Sequence, residues 1–306
     1  MRDAEPTRET DVDVSTAKSS DATPAGKFVG INYGPFHKSG QKPGTPIPDS
    51  QFILDLGILS QKFSCIKTYG DDQASNLNRV VPIAAAQFPE LKIYQGVFEN
   101  DSFNSSANKT YLDTAADLAN QYPNTVAAIV VGNECLNTDS NPNPISVNQL
   151  ILDLQYVRKK LIQRGVHVTT ELGYQAAMQY GSQLAQHVDS MMINIYPFYA
   201  QVPIGSAISN LILAYNMFES RYNGKQVIIG ETGWPSAGEP NGSAIPSITN
   251  EATYTQLTIT SSNQLGSNFV FSAFDEPWLI SQNSWGPHWG LWDASDNPKF
   301  SFSAIK

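Results

Sequence analysis

Eight short apolar runs, spaced about 25–40 residues apart, limit what this chain can fold into. They are KFVGIN (27–32), CIKTY (65–69), LKIYQGVF (91–98), VAAIVVGN (126–133), VHVTTEL (166–172), MMINIY (191–196), QVIIG (226–230) and NFVFSAF (268–274). Most are rich in Val, Ile or aromatic residues and lack polar alternation, the pattern of strands covered on both faces. The stretches between them carry helical spacing. In 145–165, Val147, Leu150, Leu154, Val157 and Leu161 form one stripe, with Ser146 placed to cap the start and Gly165 the end. In 105–122, Tyr111, Ala115, Leu118 and Tyr122 form another, and a weaker helix begins near residue 249. Strand, loop and helix repeated eight times predict a single (β/α)8 TIM barrel, with a doubly wound open sheet as the alternative.

The 306 residues are enough for one such barrel, and no low-complexity linker divides 27–306. Residues 1–26 are polar and have no hydrophobic segment, so they are expected to be a disordered leader or linker rather than a signal peptide. The long loops 37–51 and 236–250 follow the first and seventh runs, which puts them on the C-terminal face where barrel enzymes build their sites. A formal charge of −9 argues against a nucleic-acid partner, which needs clustered Lys and Arg, but not against a neutral polymer. No run of 18 apolar residues occurs, so no membrane insertion is expected. N-x-S/T triplets at Asn104, Asn108 and Asn241 favour a secreted protein slightly.

The two cysteines, Cys65 and Cys135, fall at opposite ends of a barrel sheet and are expected as free thiols. His37, His167, His187 and His288 are scattered without metal-ligand spacing, and no glycine loop cradles a phosphate, so neither a metal nor a cofactor is expected.

Two glutamates stand out. Glu134 ends IVVGNE and Glu231 follows VIIG, each at the end of an apolar run just beyond a glycine. A charge there suits the mouth of a parallel sheet, not its core. Two carboxyls from different strands are what glycoside hydrolysis uses, one to protonate the leaving oxygen and one to attack the anomeric carbon. A lone glutamate in such a position is more often a solvated residue next to a helix.

The blocks GINYGPF (30–36), KTYG (67–70), VVGNE (130–134), NIYPF (194–198), GETGWPS (230–236) and AFDEPW (273–278) resemble glycoside hydrolase family 17, the β-1,3-glucanases and β-1,3-glucanosyltransferases. The resemblance runs over nearly all of 28–306 and fits the compact fungal-type branch, which implies a catalytic barrel over 27–306 without a large extra subdomain. It implies Glu134 as acid/base and Glu231 as nucleophile of a retaining reaction, with the carboxyls about 5–5.5 Å apart. It implies that Asn133 contacts the sugar 2-hydroxyl and that Glu276 supports sugar binding or Glu134, with Asp275 a less certain neighbour. Tyr196 is placed to bond Glu231 or lie under the sugar, unless it is a buried ring. Glu171, after the fifth run, is given no chemical role.

All five tryptophans lie beyond residue 233. Trp234 and Trp278 follow the seventh and eighth runs and are candidate sugar platforms, Trp278 the stronger; Trp289 and Trp292 suit locking the C-terminal chain. Tyr33, Phe36, Tyr69, Phe98, Tyr174 and Phe198 also follow strand ends, and the sequence does not sort cleft from core among them. Tyr33, Tyr69 and Tyr174 are carried as substrate-binding candidates. The expected activity is internal cleavage of β-1,3-glucan with transfer to a second glucan chain by a secreted or cell-wall monomer. The alternatives are an endo-β-1,3-glucanase transferring to water and an inactive glucan-binding protein.

Overall fold

The computed structural model describes residues 26–99, 105–136, 143–162, 165–222 and 224–303. Most of the expected leader and the acceptor Asn104 lie outside them. Eight strands appear where the apolar runs stand: β1 (Val29–Asn32), β2 (Cys65–Lys67), β3 (Lys92–Val97), β4 (Val126–Asn133), β5 (His167–Gly173), β6 (Ser190–Asn194), β7 (Gln226–Thr232) and β8 (Asn268–Val270). They close in sequence order into a barrel of parallel neighbours, and β8 returns to β1. Between them run α1 (Asp49–Ser60), α2 (Val80–Gln87), α3 (Ser105–Gln121), α4 (Val147–Lys160), α5 (Tyr174–Leu184), α6 (Ile204–Arg221), α7 (Ile248–Thr260) and α8 (Ser262–Leu265). Both α7 and α8 precede β8, and two 3-10 turns, Pro277–Ser281 and Gly286–His288, follow it. The fold is one (β/α)8 barrel with no large extra domain.

Helix α4 shows where local signals hold and where they yield. Ser146 caps it as expected, its hydroxyl accepting from the Gln149 N–H at 3.1 Å. The helix does not reach Gly165. It stops at Lys160, and Leu161 turns extended at ψ 122. The cause is tertiary: the Asn120 carboxamide donates to Lys160 O at 3.1 Å and accepts from Ile162 N–H at 2.8 Å. That clamp satisfies two groups the next helical turn would otherwise use.

The barrel interior is filled from below by Phe28, Cys65, Tyr94, Val130, Met192, Ile228 and Phe269. The rings of Phe28, Tyr94 and Phe269 pack against one another with centroids 5.1–5.6 Å apart. Successive strand residues face opposite ways, so Cys65 facing inward brings Lys67 inward one layer higher. The interior thus changes from apolar to polar on approaching the C-terminal mouth. Asn32 closes the seam there, donating to Gly230 O at 3.2 Å and Val270 O at 3.3 Å. Outward-facing Ile31, Ile66, Ile129, Val168, Ile193 and Ile229 pack under the helices in the main core. Cys65 and Cys135 are both buried and free.

Glu99, just past β3, is buried, and among the described residues neither of its carboxyl oxygens has a hydrogen-bond partner. Burial, helped by the Asp153 charge, pushes its carboxyl from 4.5 up to about 8. The folded protein therefore binds this proton more tightly than the unfolded chain, and stability falls as pH rises through that window. Urea midpoints across the same range should show the fall, and Glu99→Gln should flatten it by up to about 1.4 kcal/mol per pH unit. An unchanged slope in the variant would show that Glu99 is not its source.

Candidate active site

Both glutamates lie just beyond a bulge at the barrel mouth. Between β4 and β5, Val130 pairs with Thr169 but Asn133 with Glu171, so β4 carries one extra residue. Between β6 and β7, Ile193 pairs with Ile229 but Asn194 with Glu231, so β7 does. An extra residue re-aims the side chains beyond it. The glycines before the acids make room for this. Gly132 has φ +72, and a Cβ there would lie 2.5 Å from Cys135 Sγ. A Cβ on Gly230 would lie 2.3 Å from a Glu171 carboxyl oxygen. Glu134 itself sits at φ 51, and its N–H donates to Glu171 O at 2.9 Å.

Four donors converge on Glu231. Tyr69 donates to Oε1 at 2.7 Å, Lys67 at 3.1 Å and Asn133 at 3.4 Å, while Tyr196 donates to Oε2 at 2.6 Å. Asn194 donates to Glu134 Oε1 at 3.0 Å and to Asn133 Oδ1 at 3.2 Å. The two glutamates are therefore joined through two amides, Asn194 and Asn133. Tyr196 is held by edge contacts with Tyr199, Trp289 and Phe271 at 5.2–6.0 Å.

Lys67 is fully buried, and its ammonium lies against both oxygens of Glu171 as well as Glu231. Its Nζ also sits 4.4 Å from the Tyr69 ring centroid. Burial pushes the Glu171 carboxyl up, Lys67 pulls it down, and the Glu231 and Glu134 charges push it up again. Sequence reasoning missed Lys67 and Asn194 and gave Glu171 no part. One signal was available: a lysine inside a buried strand needs a counter-charge.

A cleft of about 780 Å³ opens over Glu134 and Glu231 and runs out along α6, lined by Tyr174, Tyr196, Tyr199, Leu213, Met217 and Phe271 among others. On the other side, a small hollow is lined by Gly34, Tyr69, Phe271 and Glu276. Withdrawal from water pushes the Glu276 carboxyl up to about 7, against a bond donated by Trp278 Nε1 at 3.2 Å.

Of the candidates named from sequence, Glu134, Glu231, Tyr174 and Tyr196 line the cleft, Tyr69 and Glu276 line the hollow beside it, Asn133 bonds Glu231 and Trp278 bonds Glu276. Three lie elsewhere. Tyr33 is buried and donates to Asp55 at 2.7 Å, because its ring faces α1 rather than the cleft. Trp234 is buried in the core, its Nε1 donating to Ile245 O at 2.9 Å and its ring packed on Phe198 and Tyr254. Asp275 is taken by Lys299 at 3.0 Å and by the Gly290 N–H at 2.9 Å. Trp292 is buried against Phe274 and Phe302 near the C-terminal chain, whereas Trp289 is buried against Tyr196, Phe198 and Phe271 behind the cleft.

Among the described residues, His37, Asp55 and Asp296 have ligand-type atoms within 4.8 Å of one another. Lys38 bonds Asp296 at 2.5 Å and Tyr33 bonds Asp55, so this cluster already ties the β1 loop to α1 and the C-terminal segment.

The two tryptophans give a direct test of this sorting. Trp234→Ala should cost about 3–5 kcal/mol of stability, as for a filled core site. Trp278→Ala should leave the melting temperature nearly unchanged and weaken oligosaccharide binding by about 1–3 kcal/mol, the size of ring stacking on bases. Calorimetry and a melting curve on each variant separate these outcomes.

The sequence profile of the BtgE/BtgC glycoside hydrolase domain matches residues 30–290. A probable glucan endo-1,3-beta-glucosidase, btgC, of Aspergillus fumigatus is 24% identical over 302 residues, covering 89% of this chain and 42% of that protein. The chain thus spans less than half the length of that relative. A glucan 1,3-beta-glucosidase of Saccharomyces cerevisiae is 27% identical, covering 84% of this chain and 86% of that one. A family 17 β-1,3-glucanosyltransferase from Rhizomucor miehei shares the fold at a TM-score of 0.76 and 23% identity, covering 90% of this chain and 98% of that chain. An endo-laminarinase from Formosa does so at 0.74 and 21%, covering 92% and 86%. The profile match over most of the chain settles the family: this protein belongs to the BtgE/BtgC glycoside hydrolases.

Proposed function

We propose that the chain is a retaining endo-β-1,3-glucanase of the compact fungal type, with Glu231 as nucleophile and Glu134 as acid/base. The observation that carries this is the pair of strand-end carboxyls in one cleft, joined through Asn194 and Asn133. Glu231 attacks the anomeric carbon while the glycosidic C–O bond breaks and Glu134 gives its proton to the leaving oxygen. Water then attacks the glycosyl ester, with Glu134 taking the water proton. Four donors fix the Glu231 carboxylate for the attack. Asn133 stands beside it, where an amide can donate to the sugar 2-hydroxyl as positive charge develops. Tyr69, Tyr174, Tyr196, Glu276 and Trp278 contact the glucan.

Hydrolysis is preferred over the transfer expected from sequence because the btgC and yeast relatives are named as glucosidases of 1,3-glucan. Transfer is the second reading. It is favoured by the likeness to the Rhizomucor miehei transferase and by a cleft that extends beyond Glu134 along α6, with room for a second sugar chain. A glucan substrate agrees with a secreted or cell-wall site of action, and nothing in the cleft needs a second subunit.

Glu231→Ala should lower kcat on β-1,3-glucan by at least about a thousandfold and abolish the covalent intermediate. Glu134→Ala should be rescued in part on a fluoride or nitrophenyl glycoside, whose leaving group needs no proton. No rescue would count against Glu134 as the acid. Mass spectrometry of products from a β-1,3-oligoglucoside of five or more units decides the fate of the ester. Only shorter products are expected; longer ones at millimolar substrate would establish transfer.

A further inference from the structure

Glu171 is buried and exposes no carboxyl surface to the cleft, so it does not meet substrate. Its side chain is committed to Lys67, which uses its remaining reach on Glu231 at 3.1 Å. An ammonium has three donors and no acceptor, so a hold by two Glu171 oxygens limits what it can give the nucleophile. Gly230 makes this hold possible, since any Cβ there would strike the Glu171 carboxyl.

We propose that Glu171 is a positioning residue that anchors the Lys67 ammonium, so that Glu231 attacks beside a neutralised cation and not against a free one. The inference rests on Glu231 being the nucleophile. With both carboxyls ionised, the Lys67, Glu171 and Glu231 set carries one net negative charge. In the attack, a Glu231 oxygen forms a bond to the anomeric carbon. The glycosidic bond breaks with its electron pair on the leaving oxygen, which takes the Glu134 proton. Glu231 loses its charge to the ester, and the set becomes neutral because Glu171 still balances Lys67. Without Glu171, Lys67 would pair with Glu231 before attack and be left as a bare buried cation after it. That arrangement stabilises the ground state and opposes a transition state whose sugar is itself turning positive.

Other groups lie around Glu231. They are Tyr69 from β2, Asn133 and Glu134 from β4, Tyr196 and Tyr199 beyond β6, and Glu276 beyond β8. Varying Lys67 and Glu171 alone leaves all of these groups in place. The position of the acidic limb therefore reports on Lys67 and Glu171 when those two are varied alone.

The test measures kcat/KM for β-1,3-glucan, and separately the rate of covalent trapping by 2-deoxy-2-fluoroglucosyl fluoride, from about pH 4 to about pH 8. Glu171→Gln should move the acidic limb down by about one unit and slow trapping on the order of tenfold to a hundredfold. Lys67→Met leaves two carboxyls facing each other and should move the limb up by about one unit. The double variant removes both charges. Its limb should return toward the wild-type position, with trapping faster than in either single variant. Glu171→Asp keeps the charge at shorter reach and should give a smaller downward shift, which keeps the test open where the Gln variant does not fold. Single variants that shift the limb the same way, or an unmoved limb in both Glu171 variants, would overturn the proposal. Wild-type trapping without glucan cleavage would overturn the substrate and leave Glu171 to be judged by trapping alone. No wild-type trapping at all would overturn both.

Discussion

The Lys67 ammonium, wholly enclosed near the mouth of the barrel, constrains every group around it. A charge taken out of water needs an opposite charge and bonded donors, or it neutralises. Glu171 from β5 and Glu231 from β7 meet that need from strands on either side of β6. The requirement extends outward: Gly230 must lack a side chain for Glu171 to fit, and the Tyr69 ring lies against the ammonium. Breaking one buried partner leaves the others uncompensated, so these positions are coupled far more tightly than their separation along the chain suggests.

Stability and chemistry are divided between two layers of one interior. Below, the rings of Phe28, Tyr94 and Phe269 fill the barrel like any apolar core. Above, Asn32, Lys67, Glu171 and Asn194 put polar atoms where a simple core would have methyl groups. Several of those atoms, among them Asn32 Oδ1 and Asn194 Oδ1, have no bonded partner. Leaving polar atoms unmet costs stability. The apolar lower layer offsets that cost.

The bulges explain which polar side chains at the strand ends face the cleft. Strict alternation in β7 puts Glu231 with Ile229, on the helix side of the sheet. One extra residue at Gly230 reverses that. In β4 the extra residue near Gly132 acts instead on Asn133, which alternation from outward-facing Val131 would leave on the helix side and which here bonds Glu231. Glu231 and Asn133 are thus each aimed by a backbone irregularity next to a glycine, and the glycine is the trace it leaves in the sequence.

The apolar runs alone determined the strand count, because a strand covered on both faces must be apolar throughout; their closure in sequence order came from the tertiary structure. They also located both acids, since a charge ending such a run has only the sheet mouth to occupy. Pairing was decided elsewhere. Whether Trp234 or Trp278 lies under water depends on which ring Phe198 and Tyr254 cover, and those come from distant elements. Gly165 looks like a helix end, yet Asn120 stops the helix earlier from across the packing interface. Lys67 shows as an oddity in CIKTY, but its partners lie 104 and 164 residues away. Sequence fixes what a residue needs by way of burial, charge or backbone freedom; only the closed barrel decides which neighbour meets the need, because closure alone sets distances between segments far apart in the chain.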